Sequence, residues 1–219
     1  MKLRLLALPA ALSALALVGH GADAAVPAPV KPQIVDPAGD AVGAQANYDV
    51  TGVTFEVTKT AVKSTKVVKG KKVTTTTYTP KDFQVTMTLA GDAKVQPGVS
   101  YQIGVDTGCG HMFVFAYTSA GAAGGTDSSM QVSLCGADDP TDPDGNAGVQ
   151  LDHTFAAVGK TLVWTMPYKS VPKEMAIGTS WDAPVAYTAL TEPAVGYTTA
   201  DFVEQTAIDY ATGDGFKLS

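Results

Sequence analysis

The sequence predicts an all-β protein: an antiparallel two-sheet β-sandwich, of jelly-roll or immunoglobulin-like type, with one disulfide and little or no helix. Threonine, valine, alanine and glycine dominate the composition, which is typical of strands and tight turns. Apolar residues recur with a period of two in several short segments, and long helix-forming stretches are lacking. Glycine- and proline-rich connections separate these segments, as hairpins and tight turns require.

The N-terminal residues are expected to be removed on export. Lys2 and Arg4 precede an apolar run, and small residues follow at Ala22-Asp23-Ala24. This arrangement is typical of a secretory signal peptide, and the apolar run is short for a membrane span. The sequence therefore predicts a secreted, extracellular protein with a signal peptide over residues 1–24, a proline-rich extended linker over residues 25–33 and a single β-sandwich domain over residues 34–219.

The charge of the mature chain argues against some partners. Without the signal peptide, 13 of the 15 basic residues and 20 of the 21 acidic residues remain, and all the basic ones are lysines. Nucleic-acid binding usually needs a basic face and arginine side chains. We therefore expect no nucleic-acid partner. No second apolar run is long enough to cross a membrane, so we also expect no membrane span after signal cleavage.

The domain is predicted to open with an acidic loop. Asp36, Asp40 and Asp49 lie close together in sequence, before or at the start of the first long strand, Tyr48–Thr58. One interpretation is Asx turns, in which the carboxylates accept hydrogen bonds from nearby backbone amides. The other is a calcium site, because clustered carboxylates repel one another unless a cation or hydrogen-bond donors offset their charge.

A lysine-rich hairpin is predicted over residues 59–81. Seven of the 13 mature lysines lie in this segment, and no acidic residue does. Valine- and threonine-rich runs flank Lys69-Gly70-Lys71-Lys72, which predicts a basic tip. Either the lysines protect an edge hairpin from pairing with other chains, or Lys69, Lys71 and Lys72 contact an anionic cell-wall polymer such as a wall teichoic acid.

The segment Ser100–Cys135 predicts three consecutive strands. Cys109 comes just before the second strand, and Cys135 comes just after the third. Tyr101, Ile103 and Val105 alternate with smaller or polar residues, so they are expected to face the core. Two cysteines in an exported chain are expected to pair. A Cys109–Cys135 disulfide closes a loop of about 26 residues and stabilises the fold by roughly 3–4 kcal/mol on the chain-entropy account.

A second acidic segment follows Cys135. Asp142, Asp144 and Asn146 have the spacing of the first three ligands of an EF-hand-like calcium loop. Ala147 and His153, however, occupy the positions where that loop needs glycine and a bidentate acid. The alternative is a solvated acidic loop held by its prolines.

The remaining strands carry their apolar residues on one face. We expect core positions at Val53, Phe55 and Val57, at Phe83, Val85, Met87 and Leu89, at Leu162, Trp164 and Met166, and at Met175 and Ile177. Trp164 and Trp181 are the only tryptophans, with Tyr168 and Tyr187 near them in sequence. These four aromatic residues either belong to the core or form an exposed surface on which a sugar stacks.

Five short motifs, taken in order, resemble family-9 carbohydrate-binding modules and the related DOMON-like β-sandwiches of secreted bacterial proteins. The motifs are Asp36-Pro-Ala-Gly-Asp40, Tyr48-Asp-Val-Thr51, Tyr101-Gln-Ile-Gly-Val-Asp106, Trp164-Thr-Met-Pro167 and Ala176-Ile-Gly-Thr-Ser-Trp181. The resemblance implies two antiparallel sheets, sugar binding and, in some members, structural calcium; some DOMON members bind haem. The lysine-rich hairpin, the cysteine pair and the second acidic segment are not features of these families.

These observations favour a secreted, non-catalytic binding module for carbohydrate or a cell-envelope polymer, with calcium as a candidate ion and no catalytic residues. The alternative is a secreted structural or protein-interaction domain without a small ligand. A hydrolase is disfavoured because the sequence has neither a Gly-x-Ser-x-Gly elbow nor a His-Glu-x-x-His helix. Its four glutamates also lack a setting that suggests paired acid–base catalysis.

Overall fold

A computed structural model describes residues 30–41, 46–95, 98–107, 110–117, 126–134, 149–182, 184–190 and 206–219. The predicted signal peptide, most of the predicted linker, both cysteines and the second acidic segment lie outside these residues. Within the described residues, no helix is long and apolar enough to cross a membrane. Contacts divide the chain into two units, one of residues 26–60 and 79–219 and the other including Ala61–Tyr78.

The described residues are almost entirely strands. In chain order these are β1 (Ile34–Val35), β2 (Val50–Val68), β3 (Lys71–Leu89), β4 (Val99–Asp106), β5 (Gly110–Tyr117), β6 (Asp127–Leu134), β7 (Val149–Gln150), β8 (Thr154–Val158), β9 (Thr161–Pro167), β10 (Ser180–Trp181), β11 (Val185–Leu190), β12 (Thr206–Thr212) and β13 (Phe216–Lys217). Two 3₁₀ turns, Tyr168–Ser170 and Lys173–Met175, are the only helical segments among them. The all-β prediction is confirmed.

The strands form two large antiparallel sheets and one small one. The first has five strands in the order β1-β2-β3-β9-β8, and the second has six in the order β12-β11-β4-β5-β6-β7. The small sheet pairs β10 with β13. The predicted succession of three strands between Ser100 and Cys135 is observed as β4, β5 and β6, each paired with the next.

The inner faces of the two large sheets share one hydrophobic core. The five-stranded sheet contributes alternate residues such as Phe55 and Phe83, and the six-stranded sheet contributes residues such as Ile103 and Met130. This period-two burial is the pattern of a sandwich, in which each strand turns every second side chain inward. The predicted core positions are buried with one exception. Ile177 is 38% exposed, because it lies in the turn that follows the 3₁₀ turn Lys173–Met175 and not in a strand.

The outer strands of the two sheets meet at one side of the sandwich. β1 is the edge of the five-stranded sheet, and β12 is an edge of the six-stranded sheet. An isolated antiparallel bridge joins Ile34 to Gly213, just after β12. The Thr188 hydroxyl also donates a hydrogen bond of 2.7 Å to the Tyr48 carbonyl, which ties β11 to the residues before β2. The candidate site lies at this junction.

Candidate cation site and the outer face of the six-stranded sheet

Three aspartates from distant parts of the sequence converge where the sheet edges meet. One carboxylate oxygen from each of Asp36, Asp40 and Asp209 lies within 4.8 Å of the others. Asp36 directly follows β1, Asp40 lies four residues further along the same loop, and Asp209 lies within β12. The loop is positioned by backbone hydrogen bonds, including one of 3.2 Å from the Asp36 amide to the Thr51 carbonyl.

A fourth aspartate, Asp49, immediately precedes β2 and is close enough for its charge to raise the pKa of both Asp36 and Asp209. Its side chain is only 2% exposed. One of its oxygens accepts a hydrogen bond from the Gly39 amide within the acidic loop. This bond spans ten residues and closes the acidic loop, so it is not an Asx turn, which joins a carboxylate to the amide two residues further on. Gly39 has a φ of 100°, which an L-residue rarely adopts. We call Asp36, Asp40, Asp49 and Asp209 the carboxylate cluster.

Backbone amides satisfy Asp209 but not the whole cluster. The two Asp209 oxygens accept hydrogen bonds from the Val50 amide at 2.6 Å and the Tyr210 amide at 2.9 Å. By contrast, Asp36 Oδ2 and Asp49 Oδ1 are buried without a hydrogen-bond partner among the described residues. A buried carboxylate oxygen without a partner is costly, because it loses its hydration and gains nothing in return.

The electrostatics of the carboxylate cluster are those of a site that lacks a counter-charge. Burial raises the pKa of Asp36, and the neighbouring carboxylates of Asp40, Asp209 and Asp49 raise it further. Burial also raises the pKa of Asp209, and the amides of Val50 and Tyr210 oppose that shift only in part. Within the described part of the chain, no lysine forms an ion pair with any member of the cluster.

The geometry suits a hard divalent cation. Calcium takes six to eight oxygen ligands at about 2.3–2.6 Å, so ligands on opposite sides of the ion lie about 5 Å apart. A spread of 4.8 Å therefore fits around one such ion. The cluster supplies only oxygen ligands and an excess of negative charge. Calcium prefers such ligands, whereas most transition metals prefer nitrogen or sulfur ligands.

The sequence identified three of these four residues. Asp36, Asp40 and Asp49 stand together in the opening acidic loop, and the structure brings them together. Asp209 was missed because it follows them by more than 150 residues and its own segment has no loop signal. The sequence did contain one indication: Asp209 stands within an otherwise apolar and aromatic run, Ala207-Ile208-Asp209-Tyr210-Ala211. Because aspartate is rare in strands, its presence in such a run indicates a specific role.

The other predicted calcium ligands and the predicted disulfide fall outside the described residues. These are Asp142, Asp144 and Asn146, and Cys109 and Cys135. One described feature bears on the cysteines: Gly110 and Leu134, their neighbours in sequence, are backbone partners in the pairing of β5 with β6.

The two tryptophans belong to the core, so the interpretation of either ring as an exposed sugar-stacking surface is wrong. Trp164 is 0% exposed and packs against Phe155, with ring centroids 5.1 Å apart. Trp181 is 1% exposed and lies among the rings of Phe55, Phe83 and Phe216, at centroid distances of 5.3 to 5.8 Å within that group. The indole N–H of Trp181 donates a hydrogen bond of 2.8 Å to the Thr179 hydroxyl, so this N–H group already has an acceptor within the protein.

The two tyrosines have different settings. Tyr168 follows β9, packs against the core, and accepts a hydrogen bond of 2.9 Å from the Ile177 amide. Tyr187 lies in β11 on the side of the six-stranded sheet that faces away from the core, since its neighbours Ala186 and Thr188 are buried. Burial raises the pKa of its phenol.

A hydrogen-bonded row of uncharged side chains crosses this outer face. The Tyr187 hydroxyl donates to the Gln102 side-chain oxygen, and the Gln102 amide nitrogen donates to the Ser100 hydroxyl at 3.0 Å. Tyr210, the backbone partner of Tyr187 in β12, is 60% exposed. Tyrosine rings beside planar amides offer both apolar faces and hydrogen-bonding groups to a ligand.

The same sheet carries a second group of polar side chains near its other edge. The Ser129 hydroxyl donates to the Gln150 oxygen at 2.7 Å, and the Gln131 amide nitrogen reaches the same oxygen at 3.3 Å. His153 is held nearby, with Nδ1 2.9 Å from the Leu151 carbonyl and Nε2 3.0 Å from the Ser128 hydroxyl.

The lysines of the predicted basic tip lie at the turn between β2 and β3. Lys69 and Gly70 form the turn, and Lys71 and Lys72 begin β3. All are exposed.

Comparisons of the chain with protein-family models, curated proteins and solved structures gave no match.

Proposed function

We propose that this chain is a secreted, non-catalytic binding module whose carboxylate cluster holds a calcium ion. The observation that carries the proposal is the pair of buried oxygens, Asp36 Oδ2 and Asp49 Oδ1, which have no hydrogen-bond partner within the described residues. Four carboxylates in such a setting repel one another. A divalent cation bound between them offsets the repulsion and gives the two unpaired oxygens a partner.

The role of this calcium is structural. The three aspartates whose oxygens lie within 4.8 Å of one another come from the loop after β1 and from the middle of β12, so one ion crosslinks the edges of both large sheets. A ligand that binds only the folded state stabilises it by about 2.7 kcal/mol at 100 times its Kd. For a domain of this size, we expect the melting temperature to rise by roughly 5–10 °C.

Calorimetry and thermal melting test the calcium proposal. Protein freed of metal by chelating resin is titrated with CaCl₂ and, in parallel, with MgCl₂. We expect heat of binding and a raised melting temperature with calcium, and a much weaker response with magnesium, which demands tighter octahedral geometry. No heat and an unchanged melting temperature would remove the proposal.

A matched pair of variants locates the site. Asp49→Asn removes one charge at the cluster but keeps an oxygen for the Gly39 amide. We expect it to melt no lower than the wild type without metal, because repulsion is relieved, and to lose most of the calcium response. Asp92→Asn removes the same charge from an exposed turn and should retain the full response. An equal loss in both variants would mean that calcium binds elsewhere.

For the ligand of the module, we propose carbohydrate bound on the outer face of the six-stranded sheet. Support comes from the uncharged row formed by Tyr210, Tyr187, Gln102 and Ser100, which combines aromatic rings with amide and hydroxyl groups. Sugars present C–H faces for stacking and hydroxyls for hydrogen bonding, and such a row can serve both.

Glycan-array binding with calcium present tests the carbohydrate proposal. We expect binding to neutral polysaccharides and a loss of at least tenfold in affinity for Tyr210→Ala, since this ring is the most exposed of the row. Val158→Ala changes an exposed apolar side chain in the five-stranded sheet and should bind like the wild type. A blank array, or equal binding by both variants, would favour a structural or protein-interaction domain without a small ligand.

A further inference from the structure

The segment Ala61–Tyr78 forms a two-stranded ribbon that the proposed module does not need. It consists of the second half of β2 and the first half of β3, joined by Lys69 and Gly70. Both turn residues have positive φ, 49° and 76°, which is the conformation of a two-residue type I′ hairpin turn. Hydroxyl contacts join its strands, including one of 3.0 Å between Thr65 and Thr74.

This ribbon has no buried residue. Every side chain from position 61 to 78 is exposed or half-exposed, and Val67 and Val68 are 67% and 52% exposed. An isolated two-stranded ribbon is only marginally stable, because it buries little apolar surface. Its valines and threonines favour the extended conformation but supply no core. Such a ribbon is expected to be maintained for contact with something else.

The charge of the ribbon indicates what it contacts. Residues 61–78 contain five lysines and no acid, whereas the whole chain has a net charge of −6. Lys63 and Lys66 are an odd number of residues apart, so they lie on opposite faces of β2, and Lys69 lies at the tip. The positive charge therefore surrounds the ribbon instead of forming one flat patch.

Protection of a strand edge does not explain the lysines at the tip. Edge lysines prevent pairing along the sides of a ribbon, but a turn offers no edge to pair. The first position of a type I′ turn favours asparagine or aspartate, and here it holds Lys69. The sequence thus gives up turn stability for a positive charge, next to two more at Lys71 and Lys72.

We infer that Ala61–Tyr78 is a binding arm for a flexible polymer of repeating polyol-phosphate units. Lysine ammonium groups are point charges without the directional fork of arginine, so they suit many mobile phosphates more than one fixed phosphate. A flexible chain can also follow charges on both faces and at the tip, which a rigid helical polyanion cannot. This contact uses neither the carboxylate cluster nor the outer face of the six-stranded sheet, and it goes beyond the proposed function.

The test uses the mature protein with calcium and purified poly(glycerol phosphate) as the probe. Affinity is measured over a range of salt concentrations for the wild type and for the triple variant Lys69→Gln, Lys71→Gln, Lys72→Gln. The slope of log affinity against log salt is negative, and each lost phosphate contact should make it less steep by about 0.7. For three lost contacts we expect the slope to become less steep by about 2. At low salt the affinity should fall at least tenfold.

Three comparisons make the result decisive. The control Lys169→Gln, Lys173→Gln, Lys217→Gln removes the same charge from exposed lysines elsewhere and should bind within twofold of the wild type. Replacing Lys69, Lys71 and Lys72 with arginine should restore binding if charge, and not the loss of the turn, is the cause. Equal weakening by both glutamine variants, no binding of the wild type, or tighter binding to duplex DNA than to the polyol phosphate would overturn the inference.

Discussion

The position of Asp209 changes the interpretation of the acidic loop after β1, from a turn to a candidate cation site. Without it, Asp36, Asp40 and Asp49 make an acidic loop near the N-terminal end of the domain, in which one oxygen of Asp49 accepts a hydrogen bond from the Gly39 amide. With Asp209 added from β12, one oxygen from each of Asp36, Asp40 and Asp209 lies within 4.8 Å of the others, and no described lysine forms an ion pair with them. Backbone amides therefore hold some of the carboxylate oxygens and leave others for an ion.

The pH dependence of stability follows from the raised pKa values of Asp36 and Asp209. In metal-free protein these carboxyls hold their protons to higher pH when folded than when unfolded. Folding therefore takes up protons, and stability should fall as the pH rises from about 4 through the raised pKa values. Calcium competes with these protons, so its stabilising effect should be small near pH 4 and grow as the pH rises through the raised pKa values.

Differential melting of resin-treated protein with and without CaCl₂, between pH 4 and 8, measures this effect. Taking the difference at each pH cancels the titration of groups outside the carboxylate cluster. Chelating resin is preferred to a dissolved chelator, whose own affinity changes with pH. A calcium response that is as large at pH 4 as at pH 7 would contradict the assignment of the site to these carboxylates.

At the level of elements, the site depends on how closely β1 approaches the end of β12. Gly213 lies at this junction, bridged to Ile34. A Cβ atom on Gly213 would overlap the Gln33 carbonyl oxygen, so no side chain fits there without moving the backbone. The lack of a side chain at this position is what lets the first strand, and with it Asp36, reach the carboxylate cluster.

Gly213→Ala should therefore weaken both the fold and calcium binding. Overpacking against a backbone atom costs about 1–3 kcal/mol, which we expect to appear as a melting temperature lower by roughly 3–10 °C. Calcium affinity should fall as well, because β1 must shift and Asp36 with it. Thermal melting and calcium titration measure the two effects.

Gly159→Ala is the control for this substitution. Gly159 has a positive φ, which Gly213 does not, and a Cβ there meets nothing within 4 Å. We expect a modest loss of stability from backbone strain alone, of about 1 kcal/mol, and unchanged calcium affinity. Unchanged calcium affinity in both variants would show that the approach of β1 to β12 does not support the site.

The lengths of β2 and β3 could not be predicted from the alternation of apolar residues. The sequence predicted separate strands at Tyr48–Thr58 and Asp82–Leu89, with a hairpin between them, whereas the structure has two continuous strands of 19 residues each. In the buried halves, Phe55 and Phe83 keep the period of two that a core imposes. In Ala61–Tyr78 no face is buried, so no apolar period exists from which continuity could be read.

At the level of the whole molecule, the core explains why the tryptophans were hard to assign. Trp164 shares a strand face with Leu162 and Met166, and that alternation already favoured burial. Trp181 lies in a two-residue strand, which is too short to show a period. Its burial depends on the pairing of β10 with β13 and on packing against Phe216, which lies near the C-terminal end of the chain.

The sequence by itself determined the fold class, the core faces of the long strands, the succession β4-β5-β6, the lysine-rich hairpin and the acidic character of the opening loop. These are local properties: side-chain alternation, turn residues and charge are set by neighbours in the chain. Only the tertiary structure decided that Asp209 joins Asp36, Asp40 and Asp49, that Trp181 is buried, and that Tyr187 faces outward beside Gln102. Such contacts depend on sheet order, and sheet order is fixed by which surfaces pack together across the whole domain, which no short stretch of sequence records.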